Sequence, residues 1–320
     1  MEYVLALLLG VVQGVAEFLP ISSSGHLVLA ERWLSSTFGS HTASLEGAAF
    51  NIAVHVGTLG SIVIVYFKRL LAAATNVRLI LLVCLATLPV VVSGLLMKDT
   101  ITGLMKAPQK VGFALLMTAL LLALIGPLER WHGRRRDAAG TLPGPPAPDA
   151  DDIANGADNA ADNAANNAGV TAATSTESQV SETETSEAPP AGRTLESMTW
   201  FDALVVGLLQ SIAIVPGISR AGSTIFGGVL AGMDRRAAAD FSFFIAIPAI
   251  AGAAVLELKD VITTGRIEVA PDVLVWGMTV ALVTGLASLQ LLLKLIAKGQ
   301  LIWFSVYCSL VGLTAIIAFG

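Results

Sequence analysis

The sequence predicts an all-α integral membrane protein: six transmembrane helices plus two re-entrant helical hairpins, arranged as an inverted-topology internal repeat. Three observations carry that expectation. The 320 residues are 54% hydrophobic and only 13% charged, with a mean hydropathy of +0.74, too apolar for a water-soluble domain. Six apolar runs are long enough to cross roughly 30 Å of hydrocarbon at about 20 residues each. Two further apolar stretches, broken in the middle by Pro, Gly and Ser, match each other without gaps at an offset of 197 residues.

Taken in order, the first element is the broken stretch 3–33. A continuous membrane helix does not tolerate Pro20, the serine run and ionisable groups at its centre unless protein or a water-filled cavity surrounds them, so a hairpin that enters and leaves on one side is expected. Met1-Glu2 offers no basic region and no A-x-A site follows, so this segment reads as mature structure and not as a signal peptide. Spans follow at 50–67, 79–97 and 111–127, completing a first repeat over residues 1–130.

Residues 131–198 differ in kind. They open with Arg134, Arg135 and Arg136, pass through a Pro-rich stretch, and become an Ala/Asn/Asp/Ser/Thr/Glu run with 11 acids and 4 arginines. Such a segment cannot bury enough surface to offset its ordering entropy, so a disordered acidic linker is expected, an acidic binding tail being the alternative. The second repeat occupies 199–320, with its hairpin at 201–233 and spans at 237–256, 273–293 and 301–319. The net charge of −5 belongs to the linker; the other 252 residues carry 13 acids and 15 bases. Nucleic acid is not an expected partner. The two cysteines, Cys84 and Cys308, lie in apolar runs and offer neither a disulfide framework nor zinc spacing.

If six spans alternate, one side collects twelve Lys and Arg and the other six. The positive-inside rule makes the richer side cytoplasmic, with the linker there and both termini outside. Three spans after each hairpin is an odd number, so the second copy must be inverted and the two hairpins dip in from opposite sides. Inverted repeats serve secondary transporters and equally bring two polar loops together as a fixed site, and residue chemistry has to choose.

The first loop reads Gln13-Gly-Val-Ala-Glu17-Phe-Leu-Pro20-Ile-Ser22-Ser23-Ser24-Gly25-His26. Gln13 and Glu17 share a helix face, and an intramembrane carboxylate is costly enough to be rare without a role. Hydroxyls and free N–H groups at the start of the next helix form an anion pocket. The second loop, Pro216-Gly217-Ile-Ser219-Arg220-Ala-Gly222-Ser223-Thr224, adds an arginine whose planar fork suits phosphate or carboxylate. A structural ion pair between Glu17 and Arg220 is the plainer alternative, as helix capping is for the serines. Juxtaposed, the loops suit a phosphate ester or anhydride. His55 reads as a packed or hydrogen-bonded histidine, and the Gly10–Gly14 and Gly228–Gly232 spacings as internal packing in preference to a dimer interface.

These two segments resemble the undecaprenyl-diphosphatase family, also called bacitracin-resistance proteins, over essentially all 252 residues outside the linker. Gln13 and Glu17 fall on its (E/Q)xxxE element, Ser22 to His26 on its serine-histidine element, and Pro216, Gly217, Ser219, Arg220, Gly222 and Thr224 on its PGxSRxGxT element. Ala221 stands where serine is common, and the long linker is unusual. The resemblance implies hydrolysis of undecaprenyl diphosphate to undecaprenyl phosphate and inorganic phosphate, with a divalent cation, Mg2+ or Ca2+; because the first hairpin opens outward, the headgroup is expected to be processed at the outer leaflet of the plasma membrane. It further implies Ser23 as nucleophile with His26 as base, water attacking directly being the alternative. Arg220 would clamp the diphosphate, and Glu17 with Gln13 would hold the metal or orient a proton-transfer partner. Ser22, Ser24, Gly25, Gly217, Ser219, Gly222 and Thr224 would bind substrate. A prenyl diphosphate lipid is the expected partner and a homodimer is allowed. Acid-phosphatase-like lipid phosphatases need a histidine after the arginine, and all four histidines precede Arg220. A transporter or lipid flippase remains the competing class.

Overall fold

The computed structural model describes residues 1–39, 45, 47–105, 107–140, 192–264 and 269–320. These form α1 (Glu2–Phe18), α2 (Ser23–Phe38), α3 (Ala48–Ala74), α4 (Val77–Leu96), α5 (Lys98–Met105), α6 (Pro108–Gly140), α7 (Trp200–Ile212), α8 (Arg220–Leu230), α9 (Arg235–Thr264), α10 (Pro271–Ala297) and α11 (Ile302–Phe319). Six of them, α3, α4, α6, α9, α10 and α11, are long and apolar enough to cross a membrane, and each matches one predicted span, α4 and α11 falling one residue short at one end. Most run past the expected limits because the apolar run marks only the hydrocarbon-crossing part. At 1.5 Å per residue the 27 residues of α3 reach about 40 Å, and its last turns carry Lys68 and Arg69 beyond the apolar stretch.

Local chemistry explains the helix ends. Leu19 precedes Pro20 and takes an extended ψ of 139°, which ends α1. Ser22 caps α2, Asn76 caps α4 and Ser219 caps α8, each side chain accepting a first-turn N–H. Thr199 and Asp202 form a reciprocal capping box on α7, and Pro271 opens α10. The eight-residue α5 between two spans was not expected from the sequence.

The chain forms two compact units. One is Met1–Arg130 with Pro190–Gly320; the other is Trp131–Pro189, of which 131–140 is described, a helical segment where the Arg135 guanidinium lies 3.9 Å over the Trp131 ring. The expected linker, 131–198, therefore has ordered ends. Its first ten residues continue α6, and at its far end Arg193 exchanges backbone hydrogen bonds with Gly232 and Asp234. Arg193 also pairs with the fully buried Asp202 at 2.6 Å, and Met198 is buried. Residues 141–191 of the linker lie outside the described residues.

Within the larger unit, α1 packs on α10, α7 on α4, α3 on α9 and α10, and α8 on α7 and α9. Small residues set these distances. A Cβ on Gly14 would lie 1.9 Å from Thr284 Oγ1 and 2.7 Å from the Ala281 carbonyl, and one on Gly10 2.9 Å from the Gly277 carbonyl. A Cβ on Gly207 would lie 2.5 Å from the Ala86 carbonyl, and α6 crosses α11 where Gly112 and Gly312 meet. The Gly10–Gly14 face is thus filled by α10. Gly228 packs on Ala238 in the same way, and Gly232 turns the chain at φ 89°.

Polarity is distributed as lipid demands. Leu96, Ile317, Ile262 and Phe201 point outward, whereas Gln13, Thr58, Thr118, Gln210, Ser223 and Thr224 are buried. Water would reverse this arrangement, but hydrocarbon accepts apolar side chains and leaves polar ones to find partners inside. The protein is a multi-pass membrane protein.

Candidate active site

Two helix starts converge on one carboxylate. Glu17 sits in the last turn of α1, its side chain 5% exposed, and both of its oxygens are engaged. Oε2 accepts Ser23 Oγ at 2.6 Å and Gln13 Nε2 at 3.0 Å. Oε1 accepts Arg220 Nη2 at 2.5 Å. Gln13 reaches because it lies one turn earlier on the same face. Ser23 and Arg220 are the first residues of α2 and α8, and they are also the two positions paired by the 197-residue offset. A buried carboxylate costs several kcal/mol on its own, and the arginine with three hydrogen bonds offsets that cost. The Glu17–Arg220 pair weighed from the sequence is present. It does not exhaust the arginine, whose other N–H groups take no hydrogen-bond partner among the described residues.

Positions 197 residues apart also share their capping chemistry. Ser22 Oγ accepts Gly25 N–H at 3.3 Å, and Ser219 Oγ accepts Gly222 N–H at 3.1 Å. Ser22 and Ser219 thus carry the capping role alongside any contact with substrate. The loops touch through glycine: a Cβ on Gly25 would lie 2.8 Å from Gly217 Cα. Gly217 itself has φ 101° and lies against α6, where a Cβ would meet the Val111 carbonyl at 2.6 Å. Only glycine meets both demands.

Thr118, which the sequence reading did not single out, holds the second loop. Its hydroxyl donates to the Gly217 carbonyl and accepts the Ser219 N–H, both at 2.9 Å. The available signal was a hydroxyl inside the apolar run of the third span. Thr224, within α8, links it to α9, its hydroxyl 2.8 Å from the Arg220 carbonyl and 2.5 Å from Ser242 Oγ. Ser24 Oγ is 3.4 Å from Ser22 Oγ.

His26 is near Ser23 in sequence but engaged elsewhere. Its Nδ1 lies 2.8 Å from the Ser22 carbonyl and its Nε2 2.9 Å from Tyr307 Oη. The hydroxyl of Ser23 is directed at Glu17, so the pairing of Ser23 with His26 expected from the sequence is not the one the structure makes. His55 is hydrogen-bonded, Nδ1 to the Asn51 carbonyl at 2.8 Å, as expected. It also brings Nε2 to 4.0 Å from Glu17 Oε2 with a quarter of its side chain exposed, so it belongs to the site. Residue spacing could not show that, because α3 reaches Glu17 only through packing.

Residues 6–143 and 161–314 match the family described as bacitracin resistance protein BacA. The chain belongs to the BacA family. It is 33% identical to an undecaprenyl-diphosphatase of Rhodopirellula baltica over 99% of this chain and 98% of that relative. Proteins of the same name from Desulfatibacillum aliphaticivorans and Carboxydothermus hydrogenoformans are each 32% identical, over 99% and 98% of this chain and 99% and 95% of theirs. Within this BacA chain the matched stretches contain Gln13, Glu17, Ser23, His55 and Arg220, so the whole carboxylate cluster lies inside the family match.

Proposed function

We infer that this BacA chain hydrolyses undecaprenyl diphosphate to undecaprenyl phosphate and inorganic phosphate at the outer face of the plasma membrane, recycling the lipid carrier of cell-wall synthesis. Relatives that align over nearly their whole length carry that enzyme name. The observation that supports it best is the convergence of Ser23 and Arg220 on opposite oxygens of Glu17, which sets a hydroxyl nucleophile, its proton acceptor and a phosphate-binding cation side by side.

In this reading Arg220 offers its unengaged N–H groups to the diphosphate. Ser23 Oγ attacks the terminal phosphorus as its proton passes to Glu17 Oε2. The bond from that phosphorus to the bridging oxygen breaks, undecaprenyl phosphate leaves, and water then releases phosphate from Ser23. Direct attack by a water that Glu17 deprotonates gives the same products. Backbone N–H groups at the starts of α2 and α8 stabilise charge developing on the phosphoryl oxygens. A divalent cation fits beside Glu17. Gln13 Oε1 is buried without a hydrogen-bond partner, and with a Glu17 oxygen it would hold Mg2+ or Ca2+, the remaining ligands being substrate oxygens. No group of three or more His, Cys, Asp or Glu suited to a metal occurs among the described residues. When bound, the cation supplies charge neutralisation of the diphosphate.

The inverted repeat and the re-entrant hairpins are part of this reading. Exchanging the halves maps the α1–α10 contact onto the α7–α4 contact and carries α3–α9 and α6–α11 onto themselves, which supports two copies of one unit. Phosphate release from undecaprenyl diphosphate by purified protein in detergent tests the function. Glu17→Gln and Arg220→Ala are each expected to lower turnover at least about 100-fold, the scale of losing a charged transition-state contact. Wild-type inactivity on every prenyl diphosphate offered would favour transport, and undiminished Glu17→Gln activity would remove Glu17 from the chemistry.

A further inference from the structure

We propose that Tyr307 is a positioning residue for the first loop, acting through His26, and that His26 is a brace for the strained backbone of Ser22. The inference rests on the hydrolase reading above for its activity assays and deepens it.

Among the described residues Ser22 is the one non-glycine with positive φ, at 74° with ψ 99°. Side chains rarely adopt such a backbone, and it persists only where surrounding contacts hold it. Here the peptide turn directs Ser23 back at Glu17. The Ser22 carbonyl accepts two hydrogen bonds from the same residue, His26 N at 3.1 Å and His26 Nδ1 at 2.8 Å. A carbonyl can only accept, so Nδ1 carries the ring proton. In the neutral ring Nε2 is then an acceptor, and the Tyr307 hydroxyl donates to it at 2.9 Å. The two rings lie nearly parallel, 10° apart with centroids at 5.6 Å. Tyr307 stands on α11, so the chain from Tyr307 through His26 to the Ser22 carbonyl ties the first loop to the last helix of the other half. Both ring nitrogens are used in doing so, which leaves no lone pair for the Ser23 proton.

Four measurements test this. Tyr307→Phe is expected to lower kcat about fivefold, the scale of one ordinary hydrogen bond, with KM unchanged because the loop and not the headgroup contact is loosened. In a Ser22→Gly background, where glycine accepts φ 74° without strain, the added cost of Tyr307→Phe should fall below twofold. His26→Asn keeps a donor where Nδ1 stands and should retain at least ten times the activity of His26→Gln, which places its amide near Nε2. Equal Tyr307→Phe penalties in both Ser22 backgrounds, or His26→Asn no better than His26→Gln, would overturn the proposal. Size-exclusion profiles and heat-unfolding midpoints identify any variant that misfolds. Imidazole 15N shifts give a readout that needs no turnover, the His26 resonances being those missing from His26→Asn. Wild-type protein should show the Nδ1–H tautomer and Tyr307→Phe a shifted Nε2. A ring protonated at Nε2 instead would sink the brace even if hydrolysis stands, and a failed hydrolase assay leaves this measurement intact.

Discussion

Replacing Thr118 by valine removes one hydroxyl and keeps the shape of the side chain, and the structure says what that should cost. The hydroxyl is fully buried and bridges the two ends of the second loop, donating to Gly217 and accepting from Ser219. Two hydrogen bonds at about 1 kcal/mol each come to roughly 2 kcal/mol. Values measured between membrane helices, about 0.6 kcal/mol each, set a floor near 1 kcal/mol. If neither backbone group finds water, the penalty for two orphaned groups rises to about 6 kcal/mol. The site should suffer more than the scaffold, because Ser219 caps the helix whose first residue is Arg220. We expect Thr118→Val to unfold earlier and to lose about 30-fold in turnover, and Thr118→Ser to keep most of both. Unfolding can be followed through the buried Cys308 with a thiol-reactive dye, in a background where the exposed Cys84 is serine. Thr118→Val with wild-type unfolding and turnover would show that α6 does not hold the second loop.

Gly14→Ala places a methyl 1.9 Å from Thr284 Oγ1 and 2.7 Å from a carbonyl, and should destabilise by about 1–3 kcal/mol in the same dye assay; a neutral result would mean that α1 and α10 part easily. Asp202→Asn keeps a capping oxygen but leaves Arg193 without its ion pair. It should cost about 1–3 kcal/mol and raise protease cleavage between 192 and 199, and an unchanged cleavage rate would mean that the pair does not fasten this segment. Deleting residues 141–187 should leave turnover and unfolding unchanged, measured side by side with the full chain, and a loss would give the acidic segment a role beyond tethering.

The six spans were legible because lipid imposes a length and a polarity that composition alone reveals, and α3, α4, α6, α9, α10 and α11 stand where the apolar runs do. The breaks at Pro20 and Gly217 were legible for a related reason: proline and the glycine-serine runs cannot continue a helix, and their matched spacing tied the two loops together before any distance was known. Glu17, Ser23 and Arg220 stood out as ionisable or nucleophilic groups where lipid would exclude them. The linker limits were less legible, since the arginine cluster after Trp131 continues a helix that its composition does not announce.

Which partner each group takes belonged to the tertiary structure. Ser23 and His26 are three residues apart, and adjacency suggested a pair. The positive φ at Ser22 instead swings Ser23 toward Glu17 while His26 turns to its own helix start and to Tyr307, 281 residues away. His55, Thr118 and Tyr307 reach the site from α3, α6 and α11, through helix packing that no local pattern encodes. The amino-acid sequence determines where polar groups enter the membrane, because burial cost is a property of each residue in its segment. The packed fold decides which of them meet, because a hydrogen bond depends on distances and directions that only the assembled helices set.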